Sequence, residues 1–351
     1  MTTQTGLDYM RSRTMVDCDT MDQEGLISLL NILVCRSGYL MSYVHNSCKI
    51  SGPFPGLHIQ PDSRQAIAFG ELSKPAQATV ITTSLSDAEK LHSEYPSISV
   101  GELAVEIAMV RLAVTMASQI QGRVHVQTNP YYSYSAEKTV VNALRIVRLF
   151  QHIQPGFDGS RIAIKIPSTW EGLMACRTLE LAGIRTLATT LFSMPQAVLA
   201  AEVGCTYVAP YVNELKVQIN TNLVDEQKLL PLCVAIQQFY KSINASTQVL
   251  PASLTSIEEI YMLAGVDHLT IAPKLLGQLA EPKSTTVPSL FDTAPTLKAP
   301  APGISFLNDP GNFKMTFSRD MGGQSHRKLT EAINIFCDFQ DKLEQMMNRA
   351  K

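Results

Sequence analysis

Short β-branched runs recur along the chain, most of them followed by apolar positions at helical spacing. Candidate strands cover 14–19, 57–62, 123–128, 161–166, 185–190, 206–212, 247–252 and 268–272. In "RIAIKI" Ile162, Ile164 and Ile166 share one face, while Ala163 and Lys165 share the other with Pro167. In "RVHVQTN" Arg123, His125, Gln127 and Asn129 fall on one side, with Val124 and Val126 opposite. Strands alternating with helices predict parallel βα units. Eight units fit a (β/α)8 barrel better than an open sheet. The predicted fold is α/β, a TIM barrel with additional helices, forming one domain over 1–351.

Helix starts support that frame. Ser168-Thr169-Trp170-Glu171 has the form of a capping box, with Gly183 as its stop. Ser193 to Gln196 repeats the pattern and ends near Gly204, and Ser256 to Glu259 repeats it again and ends near Gly265. Residues 20–56 show no clear period and contain "ISGPFPG", a turn or loop. Residues 282–303 hold five prolines and predict an extended Pro-rich loop. The stretch 325–350 places Leu329, Ile333, Phe336, Phe339 or Gln340, Leu343 and Met347 on one helical face, which is expected to pack across the barrel.

Composition narrows the function classes. With 45% hydrophobic and 17% charged residues the chain is globular. Twenty-nine basic residues against thirty-one acidic ones provide no field for nucleic acid or an anionic membrane. No apolar run approaches the roughly 18 residues that span a bilayer, and "MTTQTGLDYMRSRT" has no stretch resembling a signal peptide. Cysteines 18, 35, 48, 176, 205, 233 and 337 are odd in number, scattered and free of any CxxC pair, which points to free thiols and a cytoplasmic protein. Seven histidines without HxxxH spacing give no metal site, and no cofactor is expected.

In a barrel, reactive groups sit where strands end at the carboxyl face. Those ends are Asp17 and Asp19, Gln127 and Asn129, Lys165, Thr189, Tyr211 and Ser253. An amine shut away from water is neutral more readily, and a neutral amine adds to a ketone to form a Schiff base. The plain alternative is a buried ion pair of Lys165 with Asp17 or Asp19. Lone Thr, Tyr and Gln residues on strands are ordinarily satisfied core polar groups.

"KIPSTWEG" resembles the Schiff-base lysine motif of the transaldolase family. "VDCDT", "GIRTLATTLFSMPQAVLAAEVG", "IEEIYMLAGVDHLTIAPKLL" and the C-terminal "FSRDMGGQSHRKLTEAINIFCDFQDKLEQMM" are similar to further parts of it. The resemblance implies a class I aldolase or transferase acting on a small ketone or aldehyde. In it Lys165 is the nucleophile, Asp19 the proton-transfer aspartate and Thr189 the holder of the catalytic water. Gln127 and Tyr211 stand where transaldolases proper carry glutamate and phenylalanine, and both resemble the fructose-6-phosphate aldolase branch.

Sugar-phosphate members hold phosphate with cations after the sixth and seventh strands. Those positions correspond here to Glu214 and Thr255. Ser253 persists, and Asn129, Asn213 and Thr255 are the other candidate substrate contacts. The second-strand "TTNPS" motif is missing; "DSRQAI" is its nearest counterpart and puts Arg64 where an asparagine belongs. Arg64 is therefore a candidate anion contact, with a salt bridge as the alternative. The expectation is lysine–imine chemistry on a non-phosphorylated substrate. The alternatives are transaldolase proper and a catalytically inactive binding protein. Relatives that are often dimers or larger leave a homo-oligomer open beside a monomer.

Overall fold

The structure, a computed structural model, describes residues 5–22, 62–63, 65–118, 120, 122–220, 222–281, 287–293 and 305–350. Its strands are β1 Met15–Cys18, β2 Asp62–Ser63, β3 Val124–Gln127, β4 Ile162–Pro167, β5 Arg185–Leu191, β6 Tyr207–Pro210, β7 Gln248–Val249 and β8 His268–Ile271. All pairings are parallel. Strands β2 to β7 neighbour one another in chain order, and β8 pairs with β1. The Thr270 N–H donates to the Pro251 carbonyl at 3.1 Å and joins β7 to β8. The order β2-β3-β4-β5-β6-β7-β8-β1 is that of a (β/α)8 barrel.

Six of the predicted strands lie within a residue or two of the observed ones, and the 247–252 run overshoots the end of β7 by three residues. For the 57–62 run only Asp62 falls among the described residues, and there β2 begins. The irregular stretch from 23 to 56 and Arg64 lie outside the described residues. Burial explains the strand composition: β3, β4, β6 and β8 are buried at every position, as parallel strands covered on both faces must be.

The capping signals placed two helices correctly and a third one residue early. Ser193 caps Met194–Glu202 and Ser256 caps Ile257–Met262. In "STWEG" the cap of Trp170–Leu181 is Thr169, whose Oγ1 accepts from the Gly172 N–H at 2.8 Å. Ser168 turns its hydroxyl to the Thr189 carbonyl instead, at 2.7 Å. Gly172 is required by contact: a Cβ there would lie 2.1 Å from the Pro167 carbonyl oxygen. The motif thus clamps the first turn of the helix onto the end of the strand that carries Lys165.

The Pro-rich stretch is described only at 287–293 and includes a short helix, Leu290–Thr293. The C-terminal helix, Gln324–Arg349, buries Leu329, Ile333, Phe336, Leu343 and Met347 as predicted. Gln340, and not Phe339, takes the remaining core position, with its amide turned to Glu344 at 2.9 Å. This helix reaches the loops after three strands. Ser325 donates to the Phe192 carbonyl after β5, Arg327 pairs with Glu214 after β6, and Asp341 accepts from Tyr131 after β3. It therefore lies against the carboxyl ends of the barrel.

Candidate active site

Lys165 is 1% exposed on β4, with its strand neighbours Gln127 on β3 and Leu187 on β5. Neighbours in register on parallel strands point to the same side, with backbones about 5 Å apart. Lys165, Gln127 and Thr189 therefore share the inner face of the barrel. Gln127 is 2% exposed, and neither its amide oxygen nor its nitrogen has a hydrogen-bond partner among the described residues. Leaving both unmade costs about 1–3 kcal/mol per group. An amide held in that state beside a buried amine is ready for a ligand or water.

The end of β5 is bent to aim Thr189. The β5–β6 register shifts between Ala188 and Leu191, and Thr190 has φ 53°, a left-handed conformation costly for a β-branched residue. The Thr189 carbonyl takes hydrogen bonds from the Ser168 N–H at 2.8 Å and the Ser168 hydroxyl at 2.7 Å. Its own hydroxyl lies 3.3 Å from the Tyr211 hydroxyl, and Phe192 packs edge-on against the Tyr211 ring at 5.6 Å. Tyr211 bridges to Ala252, which fixes it at the mouth between β6 and β7. Asp19 follows β1, half-buried, with its N–H donating to the Ile271 carbonyl at 3.0 Å.

The remaining candidates are spread around the rim. Asn129 caps a short turn: its side-chain oxygen accepts from the Tyr131 N–H at 3.1 Å, and its own N–H is held by Asn142 at 2.7 Å. Asn142 in turn donates to Glu106, which Arg145 grips with two bonds of 2.6 and 2.7 Å. Burial pushes the Glu106 carboxyl up to about 7, against the downward pull of Arg145. Asn213 donates to the Ser253 carbonyl at 2.8 Å and to Glu259 at 3.1 Å. Thr255 is exposed and gives both its N–H and its hydroxyl to Glu259. Ser253 accepts from Gln218 at 3.2 Å and has φ 62°. A cavity of about 430 Å³ opens here, lined in part by Asn213, Asp225, Lys228, Thr255 and Lys274.

Glu214, which stands where the resemblance implies a cation, is not a bare carboxylate. It pairs with Arg327 at 3.0 Å and Lys216 at 3.1 Å. Its N–H donates to Asp225, which is paired with the buried Lys328 at 2.8 Å. Burial raises the Asp225 carboxyl, but Lys328 and the two backbone donors outweigh it and hold it below its ordinary value.

Two interior groups, Tyr207 and His268, went unassigned in the sequence. Asp17 Oδ2 accepts from His268 Nδ1 at 3.0 Å. The Tyr207 ring contacts both His268 and His125, at 5.4 and 5.8 Å. Arg123 donates to the Tyr207 hydroxyl at 2.6 Å. The inner-face parity applied to β3 would have found the same facing on β6 and β8. Among the described residues no cluster of metal-ligating side chains forms, and no helix is long and apolar enough to cross a membrane.

A sequence profile described as Transaldolase/Fructose-6-phosphate aldolase matches residues 73–347, which include Gln127, Lys165, Thr189, Tyr211 and Ser253. The chain is 34% identical over 256 residues to Transaldolase A of Escherichia coli (strain K12), covering 70% of this chain and 78% of that one. It is 34% identical over 244 residues to a Transaldolase of Shewanella sp. (strain MR-4), covering 68% and 74%. A Transaldolase of Acidobacterium capsulatum is 33% identical over 280 residues, covering 78% and 82%.

Proposed function

The chain belongs to the transaldolase/fructose-6-phosphate aldolase family and is an enzyme of that class, and on this footing we propose that Lys165 forms the Schiff base. The Lys165 amine adds to the carbonyl of a small ketone donor, and the carbinolamine loses water to give the protonated imine. In cleavage, the β-hydroxyl loses its proton and the adjacent carbon–carbon bond breaks. The electron pair passes to the imine as an enamine, and an aldehyde departs. Protonation and hydrolysis of the enamine complete an aldolase cycle; attack on a second aldehyde completes a transfer.

Asp19 assists proton movement at the amine. Gln127, Thr189 and Tyr211 hold the water that carries protons, and Tyr211 protonates the aldol oxygen in the forming direction. Ser253, Asn129, Asn213, Thr255 and Arg64 are the proposed substrate contacts. The substrate is non-phosphorylated in this reading, because the position after the sixth strand is the carboxylate of Glu214. One observation carries the proposal: a buried amine on the inner wall beside an amide whose polar atoms have no hydrogen-bond partner among the described residues.

The test is trapping. Incubation with dihydroxyacetone or hydroxyacetone followed by borohydride should add the reduced donor's mass at Lys165. Absence of an adduct with every small ketone and aldehyde tried would refute the reading. The relatives' printed names favour a second reading, transfer of a dihydroxyacetone unit between sugar phosphates. Turnover of fructose 6-phosphate at rates above those for unphosphorylated ketoses would select it.

A further inference from the structure

Glu214 stands four residues beyond β6 and is 7% exposed, with both carboxylate oxygens engaged by cations. Those cations are themselves organised. Arg327 is anchored on its own helix by Gln324 at 2.8 Å and Glu331 at 2.7 Å, so its Nη2 is aimed at Glu214 before any ligand arrives. Lys216 sits two residues further along the same loop, and Glu331 lies 3.7 Å from it. The loop backbone is fixed from the other side, through the Glu214 N–H to Asp225 and from Asp225 to Lys328. Asn213, the chain neighbour of Glu214, and Asp225, which holds the Glu214 N–H, line the 430 Å³ cavity, so Glu214 flanks that cavity.

A guanidinium and an ammonium converging on one oxygen pair form an oxyanion receptor, and Glu214 supplies the oxyanion. We propose that Glu214 is a resident anion filling a cationic socket built by Arg327 and Lys216, and that it is the specificity-determining residue at this end of the site. With the socket filled, a phosphate or carboxylate on the incoming molecule meets a like charge and finds its would-be partners engaged. A hydroxyl-bearing end meets acceptor and donor groups without that penalty. Removing the carboxylate alone leaves Arg327 and Lys216 opposed, among the described residues, only by Glu331, which unmasks an anion site. This rests on the proposed function only in linking the socket to substrate choice; the masked site stands on the ion-pair geometry.

The test is therefore binding first and turnover second. Thermal unfolding of the full chain is followed against inorganic phosphate, with chloride adjusted to hold ionic strength constant. The wild-type midpoint should not move. That of Glu214→Ser should rise by about 2 °C at roughly ten times the dissociation constant. Glu214→Ser/Arg327→Met should lose the response. A folded Glu214→Ser variant that ignores phosphate overturns the proposal, as does an equal response in the wild type. If Glu214→Ser does not fold, Glu214→Gln keeps the shape without the charge; it should respond in the same direction, and no response overturns the proposal.

Turnover links the socket to specificity. In Glu214→Ser the kcat/KM ratio of glyceraldehyde 3-phosphate to glyceraldehyde as acceptor should rise about tenfold or more. A phosphate-binding variant with an unchanged ratio would remove the specificity role. An enzyme without a Lys165 adduct would leave the phosphate response intact, so the two failures are distinguishable.

Discussion

Replacing Lys165 by methionine separates a reactive amine from a structural counter-ion, because the two roles predict opposite effects on stability. Were Lys165 the partner of a buried carboxylate, its loss would strand that anion, at a cost of about 3–5 kcal/mol. The surroundings counter that cost. Asp17 keeps His268 at 3.0 Å when the lysine is removed, and Asp19 is only half-buried and can be solvated. Methionine also fills the space of a long side chain that is 1% exposed, without desolvating a charge. The expected change is between zero and a gain of about 1 kcal/mol. For a chain of this size that is a midpoint within about 2 °C of the wild type, against a fall of about 4–7 °C for a broken ion pair. Activity should fall at least about 10⁴-fold, the scale of losing a covalent nucleophile. The assays are scanning calorimetry and ketose cleavage with a coupled reductase. A melting point lowered by about 4 °C or more, or cleavage retained within tenfold, would refute the assignment.

Tyr211→Phe removes the hydroxyl 3.3 Å from Thr189 and leaves the ring against Phe192; kcat should drop about 10–100-fold with little change in KM, and an unaltered kcat in steady-state cleavage would dismiss Tyr211 as proton carrier. Gln127→Leu deletes two polar atoms that lack partners among the described residues, so stability should rise by about 1–3 kcal/mol in urea titration while cleavage falls; a destabilised variant would mean that the amide serves the fold. Glu106 has its folded value raised to about 7 from 4.5, so the folded state binds the extra proton between those limits. Its contribution to stability is complete below 4.5 and is lost as pH rises through about 7, and the difference in unfolding free energy between wild type and Glu106→Gln should change over that window. A pH-independent difference would show that Arg145 keeps the carboxylate ionised throughout.

Local chemistry made the barrel legible. Parallel strands covered on both faces must be apolar throughout, and helices must begin at caps and end at glycines, so 161–166, 185–190 and 268–272 could be placed from composition alone. The stop signals worked for the same reason: Gly183, Gly204 and Gly265 all have positive φ, where other residues are strained. Two-residue periodicity also put Lys165 and Gln127 on one face, and parallel register brought them side by side. The shift of the cap from Ser168 to Thr169 was not readable, because the Ser168 hydroxyl bonds to a carbonyl 21 residues away in sequence.

The sequence by itself determined which strand presents an amine and which face it uses, since alternation along a strand is a property of the backbone. Only the tertiary structure decided what that amine and the rim residues meet. The twist that aims Thr189 at Tyr211 comes from a register shift between β5 and β6. Glu214 is neutralised by Arg327, more than a hundred residues later, because the last helix crosses the mouth of the barrel. Charges far apart in sequence interact only once the chain has closed, and the energy of each depends on the burial it finds there.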